Sequence, residues 1–224
     1  MVLVDTPVLG LKEMEDAVEI MLNRPDKRNA INVELLDALH ETFEQLAQGE
    51  PKGVLLGGNG PMTCAGADRE IVHGTTREGL TRRFHELHHA VHTYPGPTVM
   101  RCRGAVIGAG FQLAVACDFA ILGTETICAK PEIKYGLVQP YPVERIAYLT
   151  NPQVSKEVNL SGAPISPERA YELGLVSDVV SPEEIEPTAK DVLEQLLEYD
   201  LEVYAQIKQS IQFDTHPAEY DRYR

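Results

Sequence analysis

Residues 104–118 read GAVIGAGFQLAVACD (Gly104–Asp118). A turn of small residues, Gly108, Ala109 and Gly110, opens an apolar stretch that closes at Asp118. Small residues let backbone approach a ligand closely. N–H groups exposed at a helix start can face a developing negative charge. Downstream, KPEIKYGL (Lys130–Leu137) supplies a carboxylate, Glu132, able to move a proton beside such a charge. The same kind of helix entry also serves close packing, so this stretch alone leaves both readings open.

Residues 61–68, PMTCAGAD, form a second small-residue turn after the apolar run Val54–Leu56. Two turns from different parts of the chain can supply two N–H donors, the minimum for an oxyanion hole. NRPDKRNAIN (Asn23–Asn32), CAGAD (Cys64–Asp68), GAVIGAGFQLAVACD and KPEIKYGL follow in that order. In order and spacing they resemble the crotonase, or enoyl-CoA hydratase/isomerase, superfamily, over about residues 15–212.

The resemblance implies an acyl-CoA thioester as substrate, with backbone N–H groups of Ala67 and Ala109 holding the thioester oxygen and Glu132 as the base. It places the CoA portion along Lys27, Arg28, Ala30, Ala65, Gly66 and Asp68, with Asp68 bracing its loop. A plain solvated turn at Lys27 and Arg28 stays open. CoA belongs to the substrate, so no separate cofactor is expected. The family's oligomers imply a homo-oligomer, a trimer or a dimer of trimers. Gln112 departs from the pattern, because hydratases of the family carry a second glutamate there. Hydration needs water activated at C3 and a proton delivered to C2. Glutamine can orient water but cannot take its proton. A 3-enoyl to 2-enoyl shift needs one base, so the residues favour an enoyl-CoA isomerase. The alternatives are an enoyl-CoA hydratase and a catalytically weak acyl-CoA-binding protein.

The chain has 224 residues, 43% of them hydrophobic, which fits one sizeable globular core. A net charge of −14 argues against nucleic acid, which needs a basic footprint. No apolar run is long enough for a membrane span and no secretory signal is visible, so no membrane partner and a cytoplasmic location are expected. Cys64, Cys102, Cys117 and Cys128 lack CxxC spacing and read as reduced core residues, with no metal site. His85, His88, His89 and His92 share one helical face. Without accompanying carboxylates or thiols, that face reads as a wall near the pocket or as exposed surface, ahead of a metal stripe.

Strands are expected at Ala17–Leu22, Gly53–Gly57, Thr98–Arg103 and Phe119–Leu122, and helices at Val33–Ala47, Thr76–Thr93 and Ala109–Cys117. Further helices follow at Val154–Leu160, Pro167–Leu173, Pro182–Tyr199 and Leu201–Phe213. The fold class is α/β. Periodicity does not separate a doubly wound sheet from a crotonase-like spiral of ββα units; the resemblance selects the spiral, with a shortened C-terminal helical region. The expected organisation is a core over residues 1–150 carrying the acyl-CoA site and a helical region over 151–224. VQPYPVER (Val138–Arg145) replaces the Gly-rich turn that the family pattern places after the glutamate. Its prolines remove N–H donors, and Tyr141 can fill the acyl pocket, donate its hydroxyl or simply pack.

Overall fold

A computed structural model describes residues 6–74 and 76–211. Two strands, β1 (Leu9–Glu13) and β2 (Ala17–Leu22), pair antiparallel and open a six-stranded sheet. It continues in parallel through β3 (Gly53–Gly58), β4 (Thr98–Cys102), β6 (Phe119–Gly123) and β9 (Asp178–Val180), in the order β1-β2-β3-β4-β6-β9. A second sheet holds β5 (Ala105–Ile107), β7 (Ile127–Ala129) and β8 (Pro164–Ile165).

The chain alternates between these sheets, and that alternation is the spiral. β4 lies in the first sheet; Gly104, at φ 64°, turns the chain into β5 of the second. The helix α4 (Ala109–Ala116) then returns it to β6, and β7 follows in the second sheet. Cys64 bridges Val106 in parallel, so the preceding turn of the spiral also reaches the second sheet, after β3. A doubly wound sheet would lack this second layer of strands. The mixed α/β spiral matches the fold that the resemblance implies.

Helix α1 (Val33–Ala47) forms as its pattern predicts. Asn32 caps it, accepting from the Leu35 N–H at 3.0 Å. Leu36, Leu39, Phe43 and Leu46 are buried, whereas Val33, at the first helical position, is exposed. α2 (Arg69–Gly74) precedes α3 (Arg77–Thr93), which Thr76 caps. α5 (Pro140–Leu149), α6 (Pro152–Ser161), α7 (Pro167–Glu172), α8 (Ile185–Leu197) and α9 (Leu201–Ile211) complete the described chain. α8 packs across β3, β4 and β6 through Ala189 and Leu193.

Three expectations are corrected. VQPYPVER, for which no helix was expected, leads into α5. Its prolines fall in the first helical turn, where N–H groups lack intrahelical acceptors in any case. The helix expected at Pro182–Tyr199 is confined to Ile185–Leu197, and β9 precedes it. The short β5, β7, β8 and β9 carry too few residues to display alternation, so periodicity missed them. The polar tail after Ile211 lies outside the described residues.

Candidate active site

Backbone hydrogen bonds tie the four motifs into one unit. The Ala65 N–H donates to the Arg28 carbonyl (3.0 Å), and the Ile31 N–H to the Gly66 carbonyl (2.8 Å). The Cys64 N–H donates to the Ala105 carbonyl and the Ile107 N–H to the Cys64 carbonyl, both at 3.0 Å. The Gly108 N–H reaches the Ala129 carbonyl at 2.8 Å, drawing Lys130–Pro131–Glu132 against the start of α4.

This network aims the two candidate donors. The Ile31–Ala67 bridge uses the Gly66 carbonyl and the Asp68 N–H, so the Ala67 N–H points to the opposite side. Ala109 is the first residue of α4, where an N–H has no helical acceptor. Gly66 sits at φ 95°, and a Cβ added there would lie 3.8 Å from the Ala109 nitrogen, so the two turns are in contact. A Cβ added at Gly108 would lie 3.5 Å from Oε1 of Glu132.

Glu132 opens a 3-10 turn, Glu132–Tyr135, and its side chain is 13% exposed. Its Oε1 accepts from Nε2 of Gln112, a buried residue of α4, and lies 3.3 Å from Nζ of Lys130. Its Oε2 is buried without a hydrogen-bond partner, as is Oε1 of Gln112. Lys130, 2% exposed, is a functional candidate that sequence reading passed over. Burial pushes its ammonium below the usual range, while the charge and hydrogen bond of Glu132 oppose that shift. Its long aliphatic stem explains the miss, because a lysine in a turn reads as solvated.

Lys27 and Arg28 lie exposed at the rim of this unit, and Arg28 adopts φ 54°. Ala30 and Ala65 are half-buried beside them and Gly66 is buried. Asp68 accepts from Arg24 Nη1 at 3.0 Å and from the Glu70 N–H at 3.1 Å. Burial would raise its carboxyl, but these donors and the charges of Arg24 and Lys27 hold it below the ordinary range. Asp68 therefore braces its loop. Asn29, also passed over, is fully buried. Its amide nitrogen donates to the Asn59 and Met62 carbonyls at 2.8 Å, and its oxygen accepts from the Arg24 N–H.

The histidines do not form an exposed surface: His85, His88 and His92 are buried, and among the described residues no group of side chains is arranged to hold a metal. Tyr141 of α5 packs among their rings, 5.1 Å from His85 and 6.5 Å from His88 between centroids. Burial, reinforced by nearby Lys130, lowers His88 to about 3. Burial, then Arg145 and Lys208, lowers His92 to about 3. The four cysteines are free and buried, and desolvation pushes Cys64, Cys117 and Cys128 up to about 12.

A family description, enoyl-CoA hydratase/isomerase, matches residues 13–223. The chain belongs to the enoyl-CoA hydratase/isomerase family. It is 30% identical over 173 residues to a Mycobacterium tuberculosis protein named probable enoyl-CoA hydratase echA6, spanning 77% of this chain and 70% of that one. A Mycosarcoma maydis protein named enoyl-CoA isomerase/hydratase fer4 is 32% identical over 183 residues, 75% of this chain and 66% of that one. A crystal structure of a Mycobacterium smegmatis enoyl-CoA hydratase superposes with a TM-score of 0.86 at 27% identity, covering 97% of this chain and 88% of that one. In this chain the residue against Glu132 is the amide Gln112. Among the described residues no helix is long and apolar enough to cross a membrane.

Proposed function

We propose that this protein is an acyl-CoA-processing enzyme that moves a double bond from the 3- to the 2-position of an enoyl thioester. One observation carries the reading: the residue facing Glu132 is an amide, bonded through its nitrogen to Oε1, so the site presents one carboxylate with one unpaired oxygen. Oε2 removes the C2 proton, and the electron pair moves onto the thioester oxygen between the Ala67 and Ala109 N–H groups. Each such donor is worth about 3–4 kcal/mol of barrier in comparable sites. The protonated Glu132 then returns a proton at C4, the double bond forms between C2 and C3, and the carbonyl is restored. Lys27 and Arg28, exposed beside the turns, meet the CoA phosphates.

Hydration is the second reading. It is favoured by the unpaired Oε1 of Gln112, which can accept from a water, and by the names of the relatives. An isotope experiment separates the two. A 3-enoyl-CoA deuterated at C2 and followed through a single turnover delivers label to C4 if one base carries the proton. A 3-hydroxyacyl product as the main species speaks against the isomerase.

A further inference from the structure

Lys130 has no step in the proposed reaction, yet it is buried, with its side chain 2% exposed, two residues before the base. An ammonium stripped of water is costly unless a counter-charge meets it. Among the described residues its ion-pair partner is Glu132, with Nζ 3.3 Å from Oε1. The spiral builds this pairing in. β7 ends at Ala129, whose carbonyl accepts from the Gly108 N–H at 2.8 Å, and the chain that follows lies against the start of α4.

Glu132 has the converse need. Its side chain is 13% exposed, and Oε2 is buried without a hydrogen-bond partner. A carboxylate so withdrawn from water takes up a proton unless a charge or several donors hold it ionised. Only the ionised form can accept the C2 proton. Gln112, from α4, offers Oε1 one N–H and no charge. His88, from α3, lies near Lys130 and is neutral, because burial and then Lys130 lower it to about 3. α6 packs against the Glu132–Tyr135 turn, but its charged residues, Lys156 and Glu157, are exposed. Lys134, on the turn itself, is exposed as well. Among the described residues Lys130 is the one cation in ion-pair contact with Glu132.

We propose that Lys130 is a positioning residue for the base: its ammonium holds Glu132 as a carboxylate and engages Oε1, so that Oε2 stands free and ionised for the C2 proton. The same attraction weakens the base. At neutral pH a weaker base that is ionised serves better than a stronger one that is already protonated. This inference rests on the reading of Glu132 as the base and adds what keeps it ready.

The test is the pH dependence of kcat/KM for conversion of a 3-enoyl-CoA to the 2-enoyl-CoA. The full chain is compared with Lys130→Met, which keeps much of the stem and removes the charge, and with Lys130→Arg, which keeps the charge. The acidic limb of such a profile reports the base of the free enzyme. In Lys130→Met the limb should move to higher pH by at least about one unit, the low end of what an opposite charge at this range contributes. Activity should then fall about tenfold on the acidic side and recover as pH rises. Lys130→Arg should keep the limb near its parental place, even at a lower rate. Calorimetry with a saturated acyl-CoA checks that each variant folds and binds. If Lys130→Met does not fold, Lys130→Gln, a donor without charge, carries the same readout. A limb that stays in place in the uncharged variant overturns the proposal, as does a shift in Lys130→Arg as large as that in Lys130→Met. Either result leaves Glu132 standing as the base. A parent chain that does not convert the 3-enoyl thioester overturns the proposed reaction and this inference with it.

Discussion

Gln112 donates its side-chain amide to Oε1 of Glu132, the same oxygen that Lys130 approaches at 3.3 Å, and so leaves Oε2 as the single unpaired oxygen of the carboxylate. In the proposed reaction this asymmetry singles out Oε2 as the base atom. Buried Lys130 and buried Gln112 both direct their donors to Oε1 and leave Oε2 open.

Glu132→Gln therefore removes the base but keeps the shape. Turnover should fall by at least about 10²-fold, the low end of what a positioned proton-transfer group contributes. The affinity for a saturated acyl-CoA should stay within a few-fold, because binding rests on the two turns and the nucleotide contacts. Steady-state kinetics and calorimetry on one preparation check both halves. Near-parental turnover would remove Glu132 from the role.

Gln112→Glu places a second carboxylate against Oε1, the oxygen that Lys130 approaches at 3.3 Å. Two carboxylates so close titrate as a pair and share a proton. The expected outcome is a rise in the hydration rate of a short 2-enoyl-CoA and a fall in isomerisation at neutral pH. If the folded, thioester-binding variant gains no hydration, the pocket differs from a hydratase in more than this residue.

Gly66→Ala tests the apposed turns. At φ 95° a side chain is strained, and the new Cβ would lie 2.7 Å from the Ile107 carbonyl oxygen. Displacing the Ala67 N–H should cost about 10²-fold or more in kcat, with stability lowered by about 1–3 kcal/mol. Rates and urea unfolding measure these separately; an unchanged kcat would show that Ala67 does not serve the oxyanion.

The buried histidines give the fold a pH dependence. His88 and His92 are both lowered to about 3 by burial and neighbouring cations, while the unfolded chain titrates near 6.5. Between those values the unfolded state binds more protons, so their contribution is full above about 6.5 and is lost as pH falls toward about 3. Lowering pH from 7.5 to 5.5 should cost about 3 kcal/mol for two rings. Urea denaturation at both pH values reads this directly. Equal stability at the two would mean that the rings are protonated in the folded state.

Much of this arrangement was legible in the sequence because it depends on short-range chemistry. Asn32 and the apolar spacing of Val33–Ala47 specify α1, and the small residues around Ala67 and Ala109 mark both turns. The amide of Gln112 is visible in any reading of its motif. What escaped was relational. Lys130 is an ordinary turn lysine until β7 and the Gly108–Ala129 hydrogen bond carry it inside. The histidines present one face in sequence, but only the packing of α3 against α4 and α5 shows that this face is buried around Tyr141. The prolines of VQPYPVER read only as lost N–H donors, yet at the start of a helix the N–H groups they remove have no acceptor in any case.

The central claim is that one carboxylate and an amide perform a double-bond shift in preference to hydration. The most direct measurement gives one preparation a 3-enoyl-CoA and a 2-enoyl-CoA of the same chain length, at matched concentration and pH, and compares initial rates. The account predicts faster conversion of the 3-enoyl to the 2-enoyl thioester than of the 2-enoyl to the 3-hydroxyacyl thioester. Faster hydration would contradict it and require an acid other than Glu132 to share the work.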